Sequence, residues 1–188
     1  MNIIFDLETD GLLPDVSKIH CLAMTVEGAQ ASQVFANEDQ YDNLEQALEV
    51  MSDAEGLVGH NILGYDLPVL KKLLGWTPNK ETKISDTLVV SRLAYSHMMT
   101  LDAKKKYIPT KLYGSHSLKA WGYRLGMLKG DFNHEDTDWS TFTNEMADYC
   151  ARDVAITSTL FDHLCEAECA EEAVKLEHEF AYVIQRQI

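Results

Sequence analysis

Long apolar runs are missing from this sequence. No stretch approaches the roughly 20 consecutive apolar residues that cross a bilayer, and no basic N-terminal segment leads into an apolar core and a small-residue cleavage site. The chain therefore reads as soluble and cytoplasmic, with no membrane partner. Cysteine is sparse and unframed: Cys21, Cys150, Cys165 and Cys169 form neither a disulfide-like nor a zinc-like spacing. Cys165 and Cys169 lie four apart on an expected helix with no second pair to complete a metal site, so all four read as reduced, structural thiols. Internal repeats and low-complexity tracts are also lacking. With 188 residues, 46% of them hydrophobic, residues 1–188 are expected to form one domain and are too few for two.

Positive charge is scarce overall, and the net charge of −14 argues against a polyanionic partner. Its distribution argues the other way. Between Ala103 and Gly130 there is no Asp or Glu, yet Lys104, Lys105, Lys106, Lys111, Lys119, Arg124 and Lys129 all fall there. Such asymmetry in an acidic chain points to a polyanion-binding face, against the plainer reading of a solvated lysine-rich loop.

The apolar patterning reads as strands first and alternating elements after. Asn2 to Phe5 suits a buried strand ending in two acids, followed by the turn signal Asp10-Gly11. The runs "KIHCLAMTVEG" and "ASQVFAN" suit an antiparallel meander, and "YDNLEQALEVMSD" has helical spacing. "GLVGHN" reads as a second core strand. It leads into "YDLPVLKKLLG", a helix with Pro68 in its first turn and Gly75 at its stop. A very short strand runs into a helix near Asp86 or Thr87, the basic segment 103–113 is a loop, and "SLKAWGYRLG" is a short helix. The polar stretch 130–138 is a connection, and helical pattern resumes from about Trp139. A last helix, from Glu171 to Ile188, aligns Ala173, Leu176, Phe180, Val183 and Ile184 in one stripe. The order predicts an α/β domain with a mixed central β-sheet flanked by helices.

Side chains alternate along a strand, so Asp6 and Glu8 emerge on one face while Leu7 takes the other. Asp66 stands at a helix N-terminus, where capping is its plain role. Asp153 follows Tyr149 by four residues, so both project from the same helix face. Each acid alone has an ordinary explanation. Four of them converging at the end of a sheet would repel one another unless cations held them. Hard oxygen donors suit Mg²⁺ or Mn²⁺, and two such ions can activate water and stabilise the leaving oxygen of a phosphodiester.

The motifs D-x-E-T at 6–9, N-x-x-x-Y-D at 61–66 and Y-x-x-x-D at 149–153 resemble, in order, those of the DEDD exonuclease superfamily. "DTLVVSRL" at 86–93 and "GSHSLKAWGYRLG" at 114–126 further resemble the proofreading domain of family A DNA polymerases from T7-like bacteriophages. The histidine subclass would need His at position 148, which is Asp; Tyr149 matches the tyrosine subclass. His60 and His116 are then structural or substrate-lining. The resemblance implies a ribonuclease H-like fold and two divalent ions. Asp6 would bridge them, Glu8 and Asp153 would complete the water-activating site, Asp66 would serve the second ion, and Tyr149 would orient the attacking water.

It further implies that Thr9, Leu12 and Asn61 touch the terminal nucleotide of a single-stranded DNA 3′ end. Lys104, Lys105, Lys106 and Lys111 would meet the phosphates of the strand, with Tyr107, Tyr113 or Trp121 as stacking faces; Trp121 and Tyr123 read better as core. The expected activity is release of nucleoside 5′-monophosphates from the 3′ end. A ribonuclease of the same superfamily is the alternative, because the acids do not choose the sugar. A non-catalytic module bracing a polymerase would predict loss of a metal-site acid, and all four are present. No polymerase domain fits in this length, so the chain reads as an excised domain or as one product of a split phage polymerase. In the split case a separate polymerase subunit would cover the C-terminal helix, and the location would be the bacterial host cytoplasm. Otherwise the stripe of that helix docks on its own domain, the reading favoured for a terminal helix.

Overall fold

The computed structural model describes residues 1–38, 40–128, 140–167 and 169–185. Lys129, the connection at 130–138, Trp139 and the last turn of the expected terminal helix lie outside them. A five-stranded mixed sheet forms the centre, in the order β3-β2-β1-β4-β5. The strands are β1 (Asn2–Thr9), β2 (Ile19–Val26), β3 (Gln33–Phe35), β4 (Gly56–Gly59) and β5 (Lys83–Asp86). The first three form the expected antiparallel meander, and β4 and β5 run parallel to β1.

Among the described residues seven α-helices accompany the sheet: α1 (Leu44–Ser52), α2 (Asp66–Leu74), α3 (Thr87–Ala94), α4 (Met98–Asp102), α5 (Leu118–Arg124), α6 (Asn144–Cys165) and α7 (Glu171–Gln185). Local chemistry sets their ends. Asn43 and Gln46 form a reciprocal capping box on α1, and the Asp86 and Thr143 side chains cap α3 and α6. α2 stops at Gly75, whose φ of 67° is the left-handed conformation that glycine adopts without strain.

Alternation along β1 divides the core. Ile3, Phe5 and Leu7 pack with Met51 of α1 and with Val69 and Leu70 of α2. Ile4 faces the other way, with Cys21, Ala23 and Val58 against Cys150 and Val154 of α6. Burying Ile3, Ile4 and Phe5 contributes about 1.5–3 kcal/mol each. Asp6 and Glu8 continue the α6 face of the strand, so two apolar layers fix the direction in which the acids point.

Three expectations change. α4 had no signal in the sequence reading. Cys165 and Cys169 do not share a helix, because α6 ends at Cys165. The apolar stripe of α7 does not dock on its own domain: Leu176 and Phe180 are 64% and 60% exposed, and Val183 and Ile184 also face solvent. The buried residue of α7 is His178, whose Nε2 accepts the Asp86 backbone N–H at 2.9 Å while Nδ1 meets the Val174 carbonyl at 2.8 Å. Satisfying that buried amide with a polar side chain turns the apolar stripe outward.

Candidate active site

The site begins where β1 outlasts β4. Their ladder stops at Ile4↔Val58, which leaves the later backbone of β1 without a strand on that side. Asp66, 3% exposed in the first turn of α2, fills part of the gap, and its Oδ1 accepts the Leu7 N–H at 3.1 Å. The plain capping role is thus replaced by a bond to the neighbouring strand. The turn between β4 and α2 is clamped by Asp86, whose carboxylate accepts from Asn61, Leu63 and Leu88 backbone N–H groups at 2.9, 3.1 and 2.9 Å. Asn61 takes the left-handed φ of 66° that this turn requires, a conformation asparagine tolerates better than most residues. At Gly59 a Cβ would collide with the Ile62 side chain. Nothing in the residues around Asp86 signals more than the start of a helix.

The acids meet at the C-terminal end of β1. One ligand atom each from Asp6, Glu8 and Cys150 lie within 4.8 Å of one another. Tyr149 donates its hydroxyl to Asp153 one helical turn further along α6. Burial pushes every acid up. Asp6 is held well above the carboxylate range, first by desolvation and then by Asp66, Asp153 and Glu8. Glu8 rises to about 9, by burial and then by Asp153. Asp66 rises to about 7 and Asp153 to about 6, again mainly by burial; the Tyr149 hydroxyl and Arg152 restrain Asp153. Tyr149 is also pushed up, by burial and then by the charge of Asp153, so its hydroxyl keeps its proton at neutral pH.

Among the described residues no ion pair reaches Asp6, Glu8 or Asp66. Their mutual repulsion is relieved either by protons or by cations, and buried carboxylate oxygens are the donor set that Mg²⁺ and Mn²⁺ take. The residues therefore fit such ions.

The remaining candidates stand around this centre or apart from it. Thr9 is buried, bonded to the Tyr65 hydroxyl and to the Gly11 carbonyl. Leu12 is 77% exposed on the loop after β1, which Asp10 secures by accepting from Ser17 and Lys18. His60 and His116 bond to Thr87 and Ser91, and burial lowers both, His60 to about 4, in keeping with a structural role.

Lys104, Lys106 and Lys111 are exposed and Lys105 is half-buried, on a loop anchored by buried Ile108. Asp102 closes the base of this loop by accepting the Gly114 N–H at 2.9 Å. Arg124 is not part of the basic face. Its guanidinium grips Asp102 at 3.0 and 2.7 Å, buried, and lies 4.9 Å over the ring of Trp121, a core residue as expected. Sequence reasoning also missed Cys150 as a neighbour of the acids; its only signal was its place between Tyr149 and Asp153.

A mixed sheet in this order, with acids from β1, α2 and α6 gathered at one end, defines a nuclease-type ribonuclease H-like domain. The sequence profile of the RNase H superfamily matches residues 3–165, and the chain belongs to that superfamily. It is 31% identical to the DNA-directed DNA polymerase of Escherichia phage T7 over 98% of its own length, and it spans about a third (32%) of that polymerase. Among solved structures it resembles Brucella melitensis NrnC with bound Mg²⁺, at 18% identity and a TM-score of 0.68, over 99% of this chain and 84% of that one. Escherichia coli RNase D, an exoribonuclease involved in structured RNA processing, matches at 15% identity and a TM-score of 0.59, over 100% of this chain and 45% of that one.

Proposed function

We propose that the chain is a divalent-metal-dependent 3′→5′ exodeoxyribonuclease of the proofreading type, releasing nucleoside 5′-monophosphates from single-stranded or frayed DNA ends. The observation that carries the reading is Asp6 and Glu8 together at the end of β1, with Asp66 and Asp153 near enough for their charges to raise Asp6 and with Tyr149 bonded to Asp153, in a chain 31% identical to a phage DNA polymerase. When bound, two divalent ions supply Lewis-acid activation of water and stabilisation of the departing oxygen. Asp6 would hold both, Glu8 and Asp153 would complete one site, and Asp66 would serve the other. Tyr149, protonated and fixed against Asp153, would orient the attacking water.

Thr9, Leu12 and Asn61 contact the terminal nucleotide. The lysines at 104–106 and 111 neutralise phosphates further along the strand and steer DNA toward the acidic end of the sheet. DNA is preferred over RNA as substrate because the relative with the higher identity is a DNA polymerase. A polymerase, on this reading, covers the outward face of α7 at Leu176, Phe180, Val183 and Ile184, in the cytoplasm of a phage-infected bacterium.

The test is degradation of a 5′-labelled DNA primer with a mismatched 3′ end, in Mg²⁺ or EDTA, by wild type and Asp6→Ala, beside a matched RNA strand. A ladder shortening from the 3′ end, dependent on metal and on Asp6 and faster on DNA, is expected. Faster RNA cleavage would transfer the reading to an exoribonuclease, and no cleavage with any metal would leave a polymerase-bracing module.

A further inference from the structure

Strand β5 is an edge of the sheet, with no strand on its outer side, and the main-chain N–H of Asp86 at its end is met by His178 of α7 instead. The Nδ1–H of the histidine donates to the Val174 carbonyl one turn back, at 2.8 Å, which leaves Nε2 to accept from Asp86 at 2.9 Å. Both residues are buried. The same aspartate is a clamp through its side chain, because its carboxylate accepts the Asn61 and Leu63 N–H groups of the turn that leads to Asp66. That turn has little slack. Asn61 holds a left-handed φ at its start, and Asp66 is tied to the Leu7 N–H at its end. α7 also reaches the turn directly: Gln185 Nε2 lies 3.2 Å from the point that a Cβ on Gly64 would occupy, and Ala181 packs against the core cluster that contains Leu63. A line of buried hydrogen bonds thus runs from α7, through the main chain and carboxylate of Asp86, to the turn that carries Asn61 and Asp66.

We propose that His178 is a positioning residue: acting through Asp86 from a helix outside the acid cluster, it sets the placement of Asn61 and Asp66. The link to the turn rests on the hydrogen bonds alone, and its consequence for hydrolysis rests on the exonuclease reading. Without an acceptor in the place of Nε2, the Asp86 amide becomes a buried unmet donor, and the relief open to it is movement of Asp86 toward water. The carboxylate of Asp86 moves with its main chain and releases the Asn61 and Leu63 amides. Asp66, at the end of the same turn, then loses the fixed direction that a divalent ion needs from an oxygen donor. A histidine that only anchored α7 would change stability and leave the ion unaffected.

The experiment compares wild type with His178→Leu, which removes the acceptor at similar size, and with His178→Gln, whose amide oxygen reaches the place of Nε2. Asn43→Ala, which deletes the cap of α1 over β2 and β3, is the control for lost stability alone. Folding is checked first by circular dichroism, and His178→Asn, too short to reach the Asp86 amide, replaces the leucine variant if that one does not fold. Two readouts need no turnover: hydrogen exchange of the Asn61 and Leu63 amides in EDTA, and Mn²⁺ affinity from the paramagnetic resonance of the free ion. Loss of the acceptor should speed exchange of those two amides about tenfold or more relative to the amides of α1. It should lower Mn²⁺ affinity by about tenfold, with His178→Gln back within about threefold of wild type and Asn43→Ala at the wild-type value. Mn²⁺ affinity that is unchanged without the acceptor, equally lowered in Asn43→Ala, not restored by His178→Gln, or absent from wild type overturns the positioning role. A His178-dependent Mn²⁺ affinity in a protein that hydrolyses neither DNA nor RNA keeps that role and overturns the nuclease reading. Hydrolysis with Mn²⁺ affinity indifferent to His178 does the reverse.

Discussion

Glu8 gives the most direct access to the energetics of the buried acids. Its carboxyl has an ordinary value of 4.5, whereas in the folded metal-free protein burial, joined by Asp153, Cys21 and Asp66, pushes it to about 9. Between those two values the folded state keeps a proton that the unfolded state has released, so stability falls as pH rises. Each pH unit in that window costs about 1.4 kcal/mol per group, which from pH 5 to pH 8 amounts to on the order of 4 kcal/mol for Glu8 alone. Asp153, pushed to about 6, and Asp66, pushed to about 7, steepen the early part of the decline. A domain of this kind has only about 5–15 kcal/mol to lose.

Glu8→Gln removes the ionisable group while keeping its size, and should shrink the loss between pH 5 and pH 8 by about 2–4 kcal/mol. The assay is urea denaturation in EDTA at pH 5, 6.5 and 8, followed by circular dichroism. Mg²⁺ or Mn²⁺ should flatten the wild-type slope, because the ion takes the place of the protons and stabilises the folded state by mass action. Metal-free stability that stays level or rises from pH 5 to pH 8, or an equal slope in Glu8→Gln, would refute the reasoning.

Asp6→Ala should abolish 3′-end hydrolysis while its melting temperature in EDTA at pH 8 equals or exceeds that of wild type; near-normal turnover would end the site assignment. Asp102→Ala strands a buried guanidinium and should cost about 3–5 kcal/mol by chemical denaturation, with loosening of the 103–113 loop read by hydrogen exchange. Replacing Lys104, Lys105 and Lys106 together by Ala should lower the slope of log affinity for single-stranded DNA against log salt by up to about 2, and an unchanged slope would return them to a solvated loop. Leu176→Asp with Phe180→Asp should leave urea stability within about 0.5 kcal/mol of wild type, because both side chains are already in solvent.

Much of this fold was legible because its signals are local. Period-two alternation in β1 determined that Asp6 and Glu8 share a face, and the packing of Ile4 against α6 bears that out. Asp86 beginning a helix and Gly75 ending one are likewise decided by the few residues around them. Asp66 shows the limit of the same reasoning. Its place at a helix N-terminus was readable, but its bond to Leu7 depends on β4 stopping short of β1, and strand length comes from tertiary pairing.

The misreadings share one cause: a side chain's role depended on a partner distant in sequence. Arg124 was counted with the basic face because its neighbours are basic, yet Asp102, 22 residues earlier, accepts from Nε and Nη2 along one edge of its guanidinium and holds the charge buried. For α7, periodicity identified an apolar stripe but could not say which side of the helix faces home. One hydrogen bond, from the Asp86 amide to His178 across 92 residues, decides it. Leaving that buried amide unmet would cost about 1–3 kcal/mol, comparable to the gain from burying one large apolar side chain. The helix therefore docks through a histidine, and its hydrophobic face remains available to whatever else the protein binds.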